Sequence, residues 1–223
     1  MNTFKKIIAI GAHFDDVEIN CGGMLAKAQA DKSEIKIIVA GNGEFNHFSG
    51  ETIRTKKIAQ QEGKLALQKL NIPNQNLICL DFPEKSIPYN VAIVEKIDKI
   101  ISAFKPDLIL THWINDTHQD HINVSKSVLS AARYHNSILM WEPIFPSGRT
   151  AISSFSPQIY IDISKFQEQK IKALQCHQSQ IKKFSNRKID WINGITARAK
   201  YRGFEINSKY AETFQVVRLQ IDF

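Results

Sequence analysis

Short, almost continuously apolar runs recur along the first two-thirds of the chain: Lys5 to Ala12, Ile35 to Ala40, Leu77 to Leu80, Leu108 to Thr111 and Ile138 to Trp141. Segments with helical spacing separate them, at Met24 to Ala30, Ile53 to Leu70, Val91 to Phe104 and His121 to Arg133. A strand that is apolar on both faces is buried on both faces, which requires a parallel sheet covered by crossover helices. Pro73 and Pro106 stand just before the next strand, where a residue without an N–H ends a helix. The pattern predicts an α/β fold: a Rossmann-like, doubly wound, mostly parallel sheet with helices on both faces. After Pro143 the regularity weakens into a Pro/Ser/Gly stretch (Pro146 to Pro157), a strand-like run Gln158 to Ile163, a helix from Ser164 to about Ser179 and an apolar run Thr213 to Ile221. We expect an irregular C-terminal extension, about 143–223, added to a core of about 1–142 within one domain spanning 1–223. A chain of 223 residues buries roughly 70% of its unfolded surface, so it needs no staples.

Composition narrows the class. An apolar fraction of 43% and a charged fraction of 23% disfavour disorder, a coiled coil and collagen. No window approaches 18 uninterrupted apolar residues, and Met1 to Lys6 is too short and polar for a signal peptide, so no membrane span and a cytoplasmic location are expected. Cys21, Cys79 and Cys176 are odd in number and unpaired in spacing, which argues for reduced, packed thiols. The net charge of +7 is unevenly placed: residues 1–163 carry 17 Lys/Arg against 17 Asp/Glu, and residues 164–223 carry 12 against 5. A basic segment of this kind is either a solvated surface or an attractor of nucleic acid, an anionic membrane surface or a phosphate-bearing small substrate. No stripe of aromatics interleaved with basic residues points to a nucleic-acid platform.

In open α/β sheets, ligands bind beyond the carboxyl ends of the strands. Directly after the first strand come His13, Asp15, Asp16 and Glu18, and after the fourth come His112, Asp116, His118, Asp120 and His121. Ionisable groups crowded at a buried strand end need a counter-charge or a hydrogen-bond network. An imidazole-plus-carboxylate donor set suits zinc or another first-row divalent ion better than magnesium or calcium. His13, Asp16 and His121 would supply three ligands and leave a fourth position for water, with Asp15 and His118 left over as an acid/base pair. The bland alternative is a hydrogen-bonded turn with Asp as a turn residue and Gly22-Gly23 as a backbone accommodation. A phosphoacceptor receiver module is disfavoured, because Trp141 and Glu142, not a lysine, follow Ile138 to Met140. Asp120 can close a capping box with Thr117 or orient a histidine from behind. His112 reads as a packed or pocket-lining residue, His135 as a helix-terminus charge, and His47 has no claim.

The chain resembles the PIG-L-related, LmbE-like family of zinc-dependent N-acetylglucosamine deacetylases. The residues that carry the resemblance are AHFDDVEINCGG (12–23) against A-H-P-D-D-x-E-x-x-C-G-G, and DTHQDH (116–121) for the second histidine motif. Further matches are GNGE (41–44), Glu142 with Pro146-Ser147, DISKFQEQKIKALQCHQSQ (162–180) and YRGFEINSKYAETF (201–214). The resemblance implies one Zn²⁺ per chain on His13, Asp16 and His121, Asp15 as general base and His118 beside the developing oxyanion. It further implies a metal-dependent hydrolase that removes the N-acetyl group from an N-acetylated amino sugar or its conjugate. Phe14 replaces the pattern's proline, Ala59 stands where an arginine is common with Arg54 as a candidate substitute, and Asp116 stands where some members place a tyrosine. Glu84 and Glu142 are further candidates to touch the sugar, and Arg54, Arg198 and Arg202 to touch a phosphate. The expected partner is a small acetamido sugar, with a phosphate-bearing form hinted at by the basic segment. The helix from Ser164, with Lys170, His177 and Gln180, is either an active-site wall or a subunit contact in a homo-oligomer. The rival readings are a zinc hydrolase of another amide and a non-catalytic carbohydrate-binding protein on the same scaffold.

Overall fold

The computed structural model describes residues 4–46, 52–148 and 153–221; His47 lies outside them. In chain order the elements are β1 (Lys6–Gly11), α1 (Asp16–Ala30), β2 (Glu34–Gly41), β3 (Phe45–Asn46), β4 (Thr52–Arg54), α2 (Lys56–Lys69), β5 (Leu77–Phe82), α3 (Val91–Phe104), β6 (Leu108–His112), α4 (Gln119–Ala131) and β7 (Ile138–Trp141). There follow β8 (Ile159–Asp162), α5 (Gln167–Leu174), α6 (Gln178–Ser185), α7 (Trp191–Phe204) and β9 (Ala211–Arg218). The main sheet has the order β5-β2-β1-β6-β7-β9-β8. Its first five strands are parallel, and β9 runs antiparallel to both β7 and β8. This is the mostly parallel, doubly wound α/β architecture that the apolar runs predict.

The two faces of the sheet carry separate cores. One packs Ile7, Ala9, Ile35 and Ile37 against Leu25 of α1, Leu67 of α2 and Ala173 of α5. The other packs Ile8, Ile10, Ile38 and Ile109 against Ile93, Ile97 and Ile101 of α3 and Val124 and Val128 of α4. The four-residue spacing in α3 puts those isoleucines on one stripe, all buried, each contributing about 1.5–3 kcal/mol of burial free energy. Asn90 caps α3 by accepting from the Ile93 N–H, and Lys105 closes it in the left-handed region.

The chain leaves β1 toward β2 on one side and, after β5 and α3, returns as β6 on the other side of β1. The carboxyl ends of β1 and β6 therefore flank the topological switch point, where open sheets leave a crevice. Paired in register, Ile10 beside Thr111, they bring residues 12–16 and 112–121 together.

Several details differ from expectation. The C-terminal part is regular: it adds two strands to the main sheet and three helices, and the expected helix from Ser164 is two, α5 and α6. Gly22 and Gly23 sit inside α1 and not in a loop, and the helix begins at Asp16. A Cβ on Gly23 would come within 2.7 Å of Ile163, so the glycine admits the chain entering α5. β4 precedes α2, taking Ile53 and Arg54 out of the expected helix. Among the described residues no helix is long and apolar enough to cross a membrane, and the three cysteines are free.

Candidate active site

α1 opens with Asp15 at its N-cap, but the Asp15 side chain makes no capping hydrogen bond. The carboxylate is 8% exposed and lines a cavity of about 130 Å³ between the ends of β1 and β6. One residue on, Asp16 accepts the His13 backbone N–H at 2.7 Å, folding the loop so that both side chains face the same point.

The second motif meets the first from α4. His121 lies 2.8 Å from Asp116 through Nδ1. Burial would raise the Asp116 carboxyl, but the His121 contact holds it at about 2, so it can only accept. In its neutral form, the one able to bind a metal, His121 then donates from Nδ1 and carries its lone pair on Nε2. The same reasoning fixes His13, whose Nε2 faces Asp120 Oδ2 at 3.1 Å and whose Nδ1 is left with the lone pair. These two lone-pair nitrogens lie 3.3 Å apart. Asp16 closes the triangle, with Oδ1 3.4 Å from His121 Nε2 and Oδ2 3.5 Å from His13 Nδ1.

Electrostatics within the triangle ask for positive charge. Burial alone would raise the Asp16 carboxyl, yet the imidazoles of His121, His112 and His13 hold it well below the carboxylate range. Against the desolvation that lowers it, His121 is pushed up to about 9 by Asp16 and Asp116. His13 is likewise raised against desolvation, by Asp16 and Asp120. The donor types suit a first-row divalent ion: two imidazole nitrogens 3.3 Å apart, with Asp16 turning one carboxylate oxygen to each ring, at 3.4 and 3.5 Å. His118 adds a third ring at the same place, and its nitrogen with those of His13 and His121 falls within 4.8 Å.

Further side chains lock these groups. His112 is buried: its Nδ1 takes the Trp141 indole N–H at 3.3 Å, and its Nε2 takes the Ala12 backbone N–H at 2.9 Å and lies 3.1 Å from the Asp16 carboxylate. Both of its nitrogens make contacts, and burial beside His121 keeps it neutral, at about 4; with Asp16 and His121 it forms a second group whose donor atoms lie within 4.8 Å of one another. Asp120 does more than orient His13: its oxygens also accept the backbone N–H groups of Lys85 (2.6 Å) and Ile87 (3.2 Å), tying the loop after β5 to the site. The capping box with Thr117 does not form. His118 is the N-cap of α4, and its Nδ1 accepts the Asp120 N–H at 3.2 Å. With Nδ1 accepting, the His118 proton sits on Nε2, and burial among the other histidines holds the ring neutral, at about 3.

The expected sugar contacts are partly displaced. Arg54 and Glu84 both line the cavity but are paired with one another at 3.0 Å, nearly fully buried. Ala59 cannot be replaced by a longer side chain without cost, because it is fully buried against Gly43, whose φ is +84°. Phe14 fills the same space; a Cβ on Gly63 would meet its ring at 2.6 Å. The proline-to-phenylalanine change, Ala59 and Gly63 thus form one packing solution. Glu142 is a correction: it lies behind the wall, accepting from Arg202 (3.0 Å) and the Thr213 hydroxyl (2.6 Å). Arg202 is spent there, and Arg198 is buried on the Glu142 carbonyl at 2.8 Å, so neither faces the cavity. Of the helix residues, Gln180 lines the cavity, whereas Lys170 is buried on Glu212 and His177 beside Glu18.

Asp116 is placed by the sequence in the second cluster, where a tyrosine stands in some members, but is assigned no role. It receives the N–H groups of Thr117, His118 and Gly148 as well as His121, so it builds the loop and aims the ring together. Asp116→Asn is expected to weaken metal affinity by about 10- to 100-fold, measured by chelator competition. Unchanged affinity would show that the ring needs no carboxylate behind it.

Residues 8–132 match the family model described as PIG-L, GlcNAc-PI de-N-acetylase. The chain is 30% identical over 185 residues to the uncharacterized deacetylase YaiS of Escherichia coli, spanning 80% of this chain and 93% of that protein. It is 23% identical over 232 residues to diacetylchitobiose deacetylase of Thermococcus kodakarensis, spanning 97% and 84% respectively. The crystal structure of 4-carboxy-2-hydroxymuconate hydratase from Pseudomonas putida shares the fold, with a TM-score of 0.81 at 17% identity over 98% of each chain. With both histidine motifs in place and more than half its length matched by the family model, the chain belongs to the PIG-L family.

Proposed function

We propose that the protein is a metal-dependent N-deacetylase that hydrolyses the acetamide of an N-acetylated amino sugar or its conjugate. In this reading residues 1–223 act as one domain, and His13, Asp16 and His121 hold one zinc, or another first-row divalent ion. The observation that carries the reading is the triangle of His13 Nδ1, His121 Nε2 and the Asp16 carboxylate, open to a cavity that also holds the uncapped Asp15. A shared fold does not fix the chemistry, since a hydratase has it too, so the reading rests on the site. The deacetylase names of two relatives agree with it.

A divalent ion bound there would acidify water and polarise the acetamide carbonyl. Asp15 takes a proton from the water as its oxygen bonds to the carbonyl carbon. His118, neutral with its proton on Nε2, donates toward the carbonyl oxygen as negative charge gathers there. The C–N bond then breaks, Asp15 returns the proton to the departing nitrogen, and acetate and a free amine result.

The test is an amine-release screen over N-acetylated sugars, free, thiol-linked and nucleotide-linked, with metal content measured on the same preparation. Expected are one equivalent of metal per chain and acetate and amine released in equal amounts, stopped by chelation and restored by zinc. Metal without amine from any sugar would end the deacetylase reading and favour another amide or a binding role.

A further inference from the structure

We propose that the substrate is acidic: an acetamido sugar whose phosphate or carboxylate rests on the cavity wall between β4 and α6, held by the Lys183 ammonium and the free edge of the Arg54 guanidinium. The proposal rests on the deacetylase reading and narrows its substrate class.

Arg54 is 2% exposed and lines the cavity. Its Nε donates to the Gly43 carbonyl at 2.9 Å and its Nη2 to Glu84 at 3.0 Å, but its Nη1 is buried with no hydrogen-bond partner among the described residues. A buried guanidinium N–H without an acceptor is costly, so a site that keeps one is built to receive an acceptor from a ligand. Lys183 enters the same cavity from α6. Its Nζ donates to Gln180 Oε1 at 3.3 Å and stands 4.5 Å from the centre of the Phe45 ring, which fixes the ammonium while leaving further donors unused. Among the described residues it forms no ion pair. Burial pushes the Lys183 ammonium below its ordinary range, and Arg54 and Arg187 add repulsion. An oxyanion placed between Lys183 and Arg54 would relieve both. Asp15 and Glu84 are the nearby carboxylates that attract Lys183, but Asp15 is committed to the proton transfer and Glu84 to Arg54.

The wider charge pattern agrees. From Gln169 to Ile189 the chain carries Lys170, Lys172, Lys182, Lys183, Arg187 and Lys188 and no acidic residue. Lys170 and Lys172 are paired with Glu212 and Glu168, and Lys183 is the member of this run that lines the cavity, where its charge attracts anions. Phosphate and carboxylate present the same oxygens to a guanidinium edge and an ammonium.

The experiment is calorimetric binding to the zinc-loaded full-length protein of N-acetylglucosamine, its 1-phosphate, its 6-phosphate and N-acetylmuramic acid, at low and at physiological ionic strength. At least one acidic sugar is expected to bind about 10-fold or more tightly than the neutral one, an advantage that shrinks with salt. Lys183→Gln should remove the advantage and Lys183→Arg retain it, and the sugar that gains tells phosphate from carboxylate. Acidic sugars that bind no better than the neutral one would overturn the proposal. So would an advantage that survives in Lys183→Gln, because the anion would then be sitting on the metal. Amine release, followed separately, judges the deacetylase reading: equal turnover of neutral and acidic sugars with no binding preference sinks the acidic substrate alone, whereas preferential binding without amine release sinks the deacetylase alone.

Discussion

Asp15→Asn is expected to keep its zinc and lose about 10²- to 10⁴-fold in kcat/KM, the usual worth of a positioned base. The exchange isolates the proton transfer because Asp15 does so little else. At the N-cap an aspartate ordinarily accepts a backbone N–H, yet here no such bond is made, so the amide removes no helix cap. The triangle is made by His13, Asp16 and His121, and none of its short contacts involves the Asp15 side chain. Asparagine keeps the shape and loses only the ability to take and return a proton. Metal content by elemental analysis, with kcat/KM for amine release, separates the outcomes. Wild-type turnover would remove Asp15 as the base, and loss of zinc would instead place it in the coordination shell.

How far the sequence reaches depends on the range of the interactions involved. The parallel strands were legible because each carries its own apolar run, and α3 because Ile93, Ile97 and Ile101 repeat at the helical period. The two motif loops were legible as neighbours because both follow strand ends, which the pairing of β1 with β6 brings side by side. The start of α1 was hidden: Gly22-Gly23 signals a loop locally, and only the contact with Ile163 explains a glycine within a helix. α7 was hidden because its buried side is Trp191, Ile195, Ala199 and Gly203, two of them small, while Tyr201 and Phe204 lie exposed. Glu142 was misplaced for a related reason. Its partners Arg202 and Thr213 are 60 and 71 positions away, and no local pattern reports a pairing of that range. Asp116 looked like a missing tyrosine until the ring of His121 was seen to lean on it.

His121→Ala is expected to abolish both metal binding and amine release, and its reach extends to stability. His121 stands at the corner where both other donors meet, 3.3 Å from His13 Nδ1 and 3.4 Å from Asp16, and three donors are the minimum for a catalytic zinc. In the metal-free protein the ring is raised from 6.5 to about 9 by its carboxylate partners. A raised folded-state pKa means that the folded form binds the proton more tightly than the unfolded chain does. The stability it contributes is therefore fully present below pH 6.5 and is lost as pH rises through about 9. Zinc competes for the same lone pair, so its affinity rises over that interval while the proton is displaced. The wild-type protein without metal should thus lose melting temperature between pH 6.5 and 9, and added zinc should raise it most at the alkaline end. A hundredfold excess over Kd gives about 2.7 kcal/mol. His121→Ala removes the titrating ring and the ligand together, so its metal-free melting temperature should vary less over this interval and respond little to zinc. A variant that still gains stability from zinc would show that the ion is held without His121, by donors such as His118 and His13.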